Sequence, residues 1–187
     1  GETVDSQIGN VADLAQQLAD AGIDYIGVNA SDAGNITITD DQASLLVGAG
    51  LAFADAGNIG ETPDNVTMGV EASGTHLKTS LQDLQKLGVD TVLVTGSDSV
   101  TVDLGGVGEG VVGGVLSGDN LPLFGDTDGN GILSGAEDSA LSVTLNLDGD
   151  TVDTQIGHVA DLAQQLADAG IDYIGVNASD AGNITIT

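Results

Sequence analysis

The residues best able to do chemistry lie between positions 126 and 137, which read DTDGNGILSGAE. Asp126, Asp128 and Asn130 place side-chain oxygens at positions 1, 3 and 5 of a twelve-residue calcium loop, and Gly131 at position 6 allows its sharp turn. Ile132 at position 7 offers a backbone carbonyl, Ser134 at position 9 binds directly or through water, and Glu137 at position 12 supplies a bidentate carboxylate. Leu133, apolar at position 8, suits a residue anchoring the loop to a core. Hard oxygen donors at this spacing select Ca²⁺, whose six to eight ligands need a flexible cage that Mg²⁺ fills badly. Asp148, Asp150 and Asp153 form a second acidic group and a candidate second calcium site, although DGD is also an ordinary turn sequence.

Little else in the chain suggests reactivity. His76 and His158 are the only histidines, and His158 is replaced by Asn10 at the matching place in an internal repeat. No GxSxG, HExxH or phosphate loop occurs, and the glycine run from Gly105 to Gly110 lacks the Lys and Ser/Thr that hold phosphates. Among 29 acids some paired carboxylates are inevitable and carry no information. The expectation is a protein that is not an enzyme, with no catalytic residues and no cofactor other than Ca²⁺.

Composition narrows the partners. Twenty-nine Asp and Glu stand against two basic residues, Lys78 and Lys86, for a formal charge of -27. Such a chain has no basic surface to compensate phosphates, which excludes nucleic acid and direct insertion into an anionic membrane. The 41% hydrophobic content argues against disorder, since disordered chains pair high charge with few apolar residues. Cysteine is absent, which leaves the compartment open: secreted bacterial surface proteins share this composition, and halophilic cytosolic proteins are also acidic. Aromatics are only 2%, and Tyr25, Tyr173, Phe53 and Phe124 are expected in the core.

The elements that must position the loop belong to a repeat. Residues 3–39 and 151–187 match at 35 of 37 positions with an offset of 148, differing only at Ser6/Thr154 and Asn10/His158. Duplication explains this and convergence does not, so residues 3–150 are read as one unit and 151–187 as the truncated start of the next, cut from a longer array. A fainter echo at an offset of 66 sets Gly22 on Gly88, Asp24 on Asp90, Ile26 on Val92 and Val28 on Val94. It divides the unit into half-units at about 3–70 and 71–120, followed by a calcium loop and tail at 121–150.

Within a half-unit, Val11, Leu14, Ala15, Leu18 and Ala21 recur at helical spacing before Gly22. Residues 25–29 and 35–39 then alternate as strands about a Ser31-Asp32-Ala33-Gly34 turn, which predicts a β-hairpin. Asp40, Asp41 and Gln42 start a second helix, whose face continues through Leu45, Leu46, Ala49, Phe53 and Ala56. The second half repeats the order, with Leu77, Leu81, Leu84 and Leu87 on a helix, strands over 91–95 and 100–104, and a glycine-rich helix over 107–116. Residues 64–70 and 142–147 are further strands. The predicted fold class is α+β: helix-hairpin-helix (αββα) half-units stacked in an array, with an EF-hand-like calcium loop.

Near-identical units of more than 100 residues, segments such as LADAGIDYIGVNASDAGNITIT and LQKLGVDTVLVTGSDSVTVDL, and the DTDGNGILSGAE loop together resemble the tandem arrays of giant secreted bacterial surface proteins. These are adhesins and biofilm-associated proteins that often leave by type I secretion. The resemblance implies an extracellular, cell-surface location and calcium-rigidified extender repeats that hold an adhesive domain away from the cell. Its partners would be neighbouring units of the same chain and cell-surface or matrix components. Two alternatives remain open: a calcium-dependent carbohydrate- or protein-binding module, and a surface-layer lattice protein.

Overall fold

The computed structural model describes residues 4–28, 36–55, 66–71, 75–105, 121–125, 141–147 and 152–176. In chain order the elements are α1 (Val4–Asp13), α2 (Ala15–Asp20), β1 (Tyr25–Val28), β2 (Ile36–Thr39), α3 (Asp40–Gly48), β3 (Ala52–Asp55), β4 (Val66–Glu71) and β5 (Thr75–His76). They continue with α4 (Leu81–Leu87), β6 (Thr91–Thr95), β7 (Ser99–Asp103), β8 (Leu123–Gly125), β9 (Ser142–Leu147), α5 (Val152–Asp161), α6 (Ala163–Asp168) and β10 (Tyr173–Val176).

The helix-to-strand connections share one local design. In α2, α3, α4 and α6 a leucine lies four residues before a glycine, and an apolar residue follows that glycine. The glycines, Gly22, Gly50, Gly88 and Gly170, have φ between 77° and 89°, a left-handed turn that a side chain would strain. Each accepts the same closure, a Schellman motif in which the residue after glycine donates to the leucine carbonyl. Leu51 N–H reaches Leu46 O at 3.0 Å, Val89 reaches Leu84 at 3.0 Å, and Ile171 reaches Leu166 at 3.0 Å. The helix is thereby stopped and the chain aimed into a strand. At the other end of α3, Thr39 and Gln42 form a capping box: the Thr39 hydroxyl accepts from Gln42 N–H at 3.3 Å, and Gln42 Oε1 accepts from Thr39 N–H at 2.9 Å.

Among the described residues every strand pairing is parallel. One sheet runs β2-β4-β6-β8, a second runs β5-β7-β9-β10, and β1 pairs with β3. From β2 to β9 each successive strand enters a different sheet from the one before it, and within each sheet the order follows the chain. The chain therefore winds, adding a strand to one sheet and then to another around a shared core. Parallel sheets covered on both faces read as continuous apolar runs. Here the strands alternate: Val92 and Val94, Val100 and Val102, and Val143, Leu145 and Leu147 are buried, while their neighbours are half-exposed. The two four-stranded sheets thus each have a covered face, closed by fully buried Ile36, Ile38, Met68 and the helical Leu46, Leu81, Leu84 and Leu87.

This overturns the expected stack of αββα half-units built on hairpins. β1 and β2 do not pair with each other; β1 registers Tyr25 with Ala52, and β2 registers Ile36 with Val66. Period-two alternation marks a strand without naming its partner, and parallel pairing requires a crossover rather than a hairpin turn between partners, which here passes through an intervening strand of another sheet or a helix. Two helix expectations also change. The first helix breaks at Leu14, whose N–H turns back to Val11 O at 3.1 Å, giving α1 and α2. The helix expected to carry Phe53 ends at Gly48, because the turn at Gly50 sends residues 52–55 into β3. Phe53 and Phe124 are core residues, but Tyr25 and Tyr173 are 53% and 60% exposed, against expectation.

Candidate functional site

The candidate calcium ligands Asp126, Asp128, Asn130, Ile132, Ser134 and Glu137 lie outside the described residues, as do Asp148 and Asp150; Asp153 falls in α5. The helix expected over 107–116 is outside them too. What the structure defines is how the two ends of the loop segment are held. Gly125, the residue before Asp126, closes β8, a strand where an EF-hand would have its entering helix. β8 is fixed by its register with β6, by Leu123 N–H donating to Asp90 O at 2.9 Å, and by Phe124 N–H donating to Ala169 O at 3.1 Å. Downstream, β9 lies between β7 and β10, with Ser142 N–H donating to Asp98 O at 2.9 Å. The described residues that flank positions 126–140 on either side therefore belong to two different sheets.

Several carboxylates of the described residues receive backbone N–H groups from distant segments. Asp90 Oδ2 accepts from Val66 N–H at 2.8 Å, and Asp172 Oδ2 accepts from Val143 N–H at 2.9 Å. Asp40 accepts from Lys78 N–H at 2.8 Å and Thr79 N–H at 3.2 Å, tying the approach to α4 onto the first turn of α3. Beside it the Lys78 ammonium pairs with Asp41, whose hydrogen bond and negative charge raise the lysine pKa above its ordinary value. Part of the acidic composition thus serves to fix strand starts. The sequence signal for this role is Gly-apolar-Asp directly before a strand, at Gly88-Val89-Asp90 and Gly170-Ile171-Asp172; Gly22-Ile23-Asp24 carries the same pattern. Sequence reasoning aligned those residues and did not see their function.

Among the described residues no three His, Asp or Glu side chains gather as a metal cage. The nearest approach to a reactive grouping is on the open face of the β5-β7-β9-β10 sheet. There His76 Nε2 lies 3.0 Å from Asp103 Oδ1, which also accepts from Asn146 Nδ2 at 2.9 Å. His76 and Asp103 are 55% and 38% exposed, so the contact is a solvated surface pair. The row bridges strands β5, β7 and β9 and acts as a cross-strand tie. Comparison with family models, curated proteins and solved structures finds no match to this chain.

Proposed function

We propose that the chain is a calcium-binding extender unit of a large extracellular adhesin or biofilm-matrix protein. The observation that carries this reading is the near-identity of residues 3–39 and 151–187, beside a twelve-residue loop with oxygen donors at each required position. Units used for length can be multiplied without change, whereas units that each bind a different ligand diverge. Anchoring of the loop segment at β8 and β9, in two different sheets, supports a clamp role for the ion. A chain with a net charge of -27 repels itself, and Ca²⁺ bound only to the folded state relieves that repulsion and adds stability by mass action. With extracellular Ca²⁺ at about ten times the dissociation constant, each site adds about 1.4 kcal/mol. Such a unit stays slack where calcium is scarce and stiffens after export.

Calorimetric titration of metal-stripped protein with Ca²⁺ tests this. Saturable binding at the loop, lost in an Asp126→Ala, Glu137→Ala variant, is expected. Absence of Ca²⁺ binding, or binding that survives the double substitution, contradicts the reading.

A further inference from the structure

The two copies of the repeat are the same sequence in two different surroundings, and they bury complementary faces. In the first copy Ala12 and Ala15 are buried at 2% and 3%, whereas Ile23 is 40% and Leu14 46% exposed, and Ala21 is also exposed. In the second copy the pattern inverts. Ile171 and Ala169, the twins of Ile23 and Ala21, are buried at 8% and 3%, while Ala160 and Ala163, the twins of Ala12 and Ala15, are exposed. The face open at Ile23 is the one that the second copy presses onto the β8 and β9 end of the unit. A Cβ at Gly170 would meet Phe124 O at 3.2 Å, and one at its twin Gly22 would meet nothing within 4 Å.

Hydrogen bonds divide in the same way. Asp90, inside the unit, shows the complete pattern: its N–H donates to Val66 O at 2.9 Å, its carboxylate accepts from Val66 N–H at 2.8 Å, and its carbonyl accepts from Leu123 N–H at 2.9 Å. It thus joins the preceding strand to the following one. Asp172 shows the preceding half, donating to Val143 O at 2.9 Å and accepting from Val143 N–H at 2.9 Å. Asp24 shows the following half, with its carbonyl accepting from Ala52 N–H at 3.1 Å. Among the described residues β1 pairs with β3 alone, although its twin β10 pairs with β9.

We propose that the surface formed by Leu14, Ala21, Ile23, Asp24 and the outer edge of β1 receives the β8 and β9 end of another copy of this unit. Its Val143 pairs with Asp24, and its Phe124 seats on Gly22. The occupant is specified by continuity with an interface already present in the chain, because 35 of 37 residues at the two positions are identical. Units then stack head to tail with the parallel sheet running through the boundary. This contact is heterologous, so the same contact repeats from unit to unit along the chain. It is independent of the calcium loop.

The test extends the protein by placing residues 1–148 in front of the full chain, which keeps the 148-residue offset and completes one junction, and compares it with the full chain alone. Measurements in saturating Ca²⁺ and in chelator keep failure of the calcium reading separate. Hydrogen exchange from Asp24 to Val28 of the full chain is expected to slow at least about tenfold in the two-unit protein. Ile23→Ser is expected to lower the melting temperature of the two-unit protein and leave the single chain nearly unchanged. Unaltered exchange, or an equal effect of Ile23→Ser in both proteins, overturns the proposal.

Discussion

Replacing Asp90 with alanine sets two effects against each other. It removes one of 29 acids from a chain of charge -27, which relieves repulsion, and it removes the carboxylate that accepts Val66 N–H at 2.8 Å. Val66 is fully buried, so no water substitutes readily for the lost acceptor. An unpaired buried donor costs about 1–3 kcal/mol, whereas one screened surface charge contributes under about 1 kcal/mol. The hydrogen bond should therefore win, with a net loss of about 2 kcal/mol, or roughly 4–8 °C of melting temperature for a domain of this size. Asp13→Ala is the control. Asp13 is exposed at the C-terminal end of α1, where a negative charge opposes the helix dipole, so its loss should be neutral or mildly stabilising. Asp90→Asn retains a carbonyl oxygen and should fall between. Thermal and urea denaturation of the three variants measure this, and Asp90→Ala melting with Asp13→Ala would refute strand fixing by the carboxylate.

Other expectations follow from the same contacts. Gly22→Ala and Gly170→Ala strain the same left-handed turn by about 1 kcal/mol, but only the second drives a Cβ to 3.2 Å from Phe124 O. Gly170→Ala should thus lose more stability and speed hydrogen exchange across residues 152–176; equal losses would contradict the packing. Leu84→Ala empties a fully buried site behind the α4 turn and should cost about 2–5 kcal/mol in urea unfolding. Because Asp41 raises the Lys78 pKa, the pair's stabilisation is fully present below lysine's ordinary 10.5 and is lost as pH rises through the raised value. The Lys78 side chain is 63% exposed, so Lys78→Met should remove only a shallow alkaline decline in stability, read by denaturation across a pH series.

Strand positions were legible because the residues alternate: residues 91–95, 99–103 and 142–147 announce themselves through Val and Leu at every second place. Their partners were not legible. A period of two is common to hairpins and to wound parallel sheets, and residues 25–28 and 36–39 with a turn sequence between them mimic a hairpin. The extension of α3 to Phe53 failed for a related reason. Leu45, Ala49 and Phe53 keep helical spacing, and only the leucine four places before Gly50, with Leu51 after it, reveals the stop. That signature occurs four times and was the most informative local pattern in the chain. The proposed calcium ligands, in contrast, rest on the sequence alone, where their oxygen donors follow the spacing of a loop whose geometry such an ion dictates.

The central claim is that Ca²⁺, held by residues 126–137, stabilises the unit. A thermal melt of metal-stripped protein at fixed ionic strength, with millimolar Ca²⁺ or Mg²⁺, tests it against the Asp126→Ala, Glu137→Ala variant. The account predicts a rise in melting temperature that is specific to Ca²⁺ and lost in the variant. If Ca²⁺ and Mg²⁺ act alike, if neither acts, or if the variant responds as the parent does, residues 126–137 are an acidic turn and the calcium clamp is wrong.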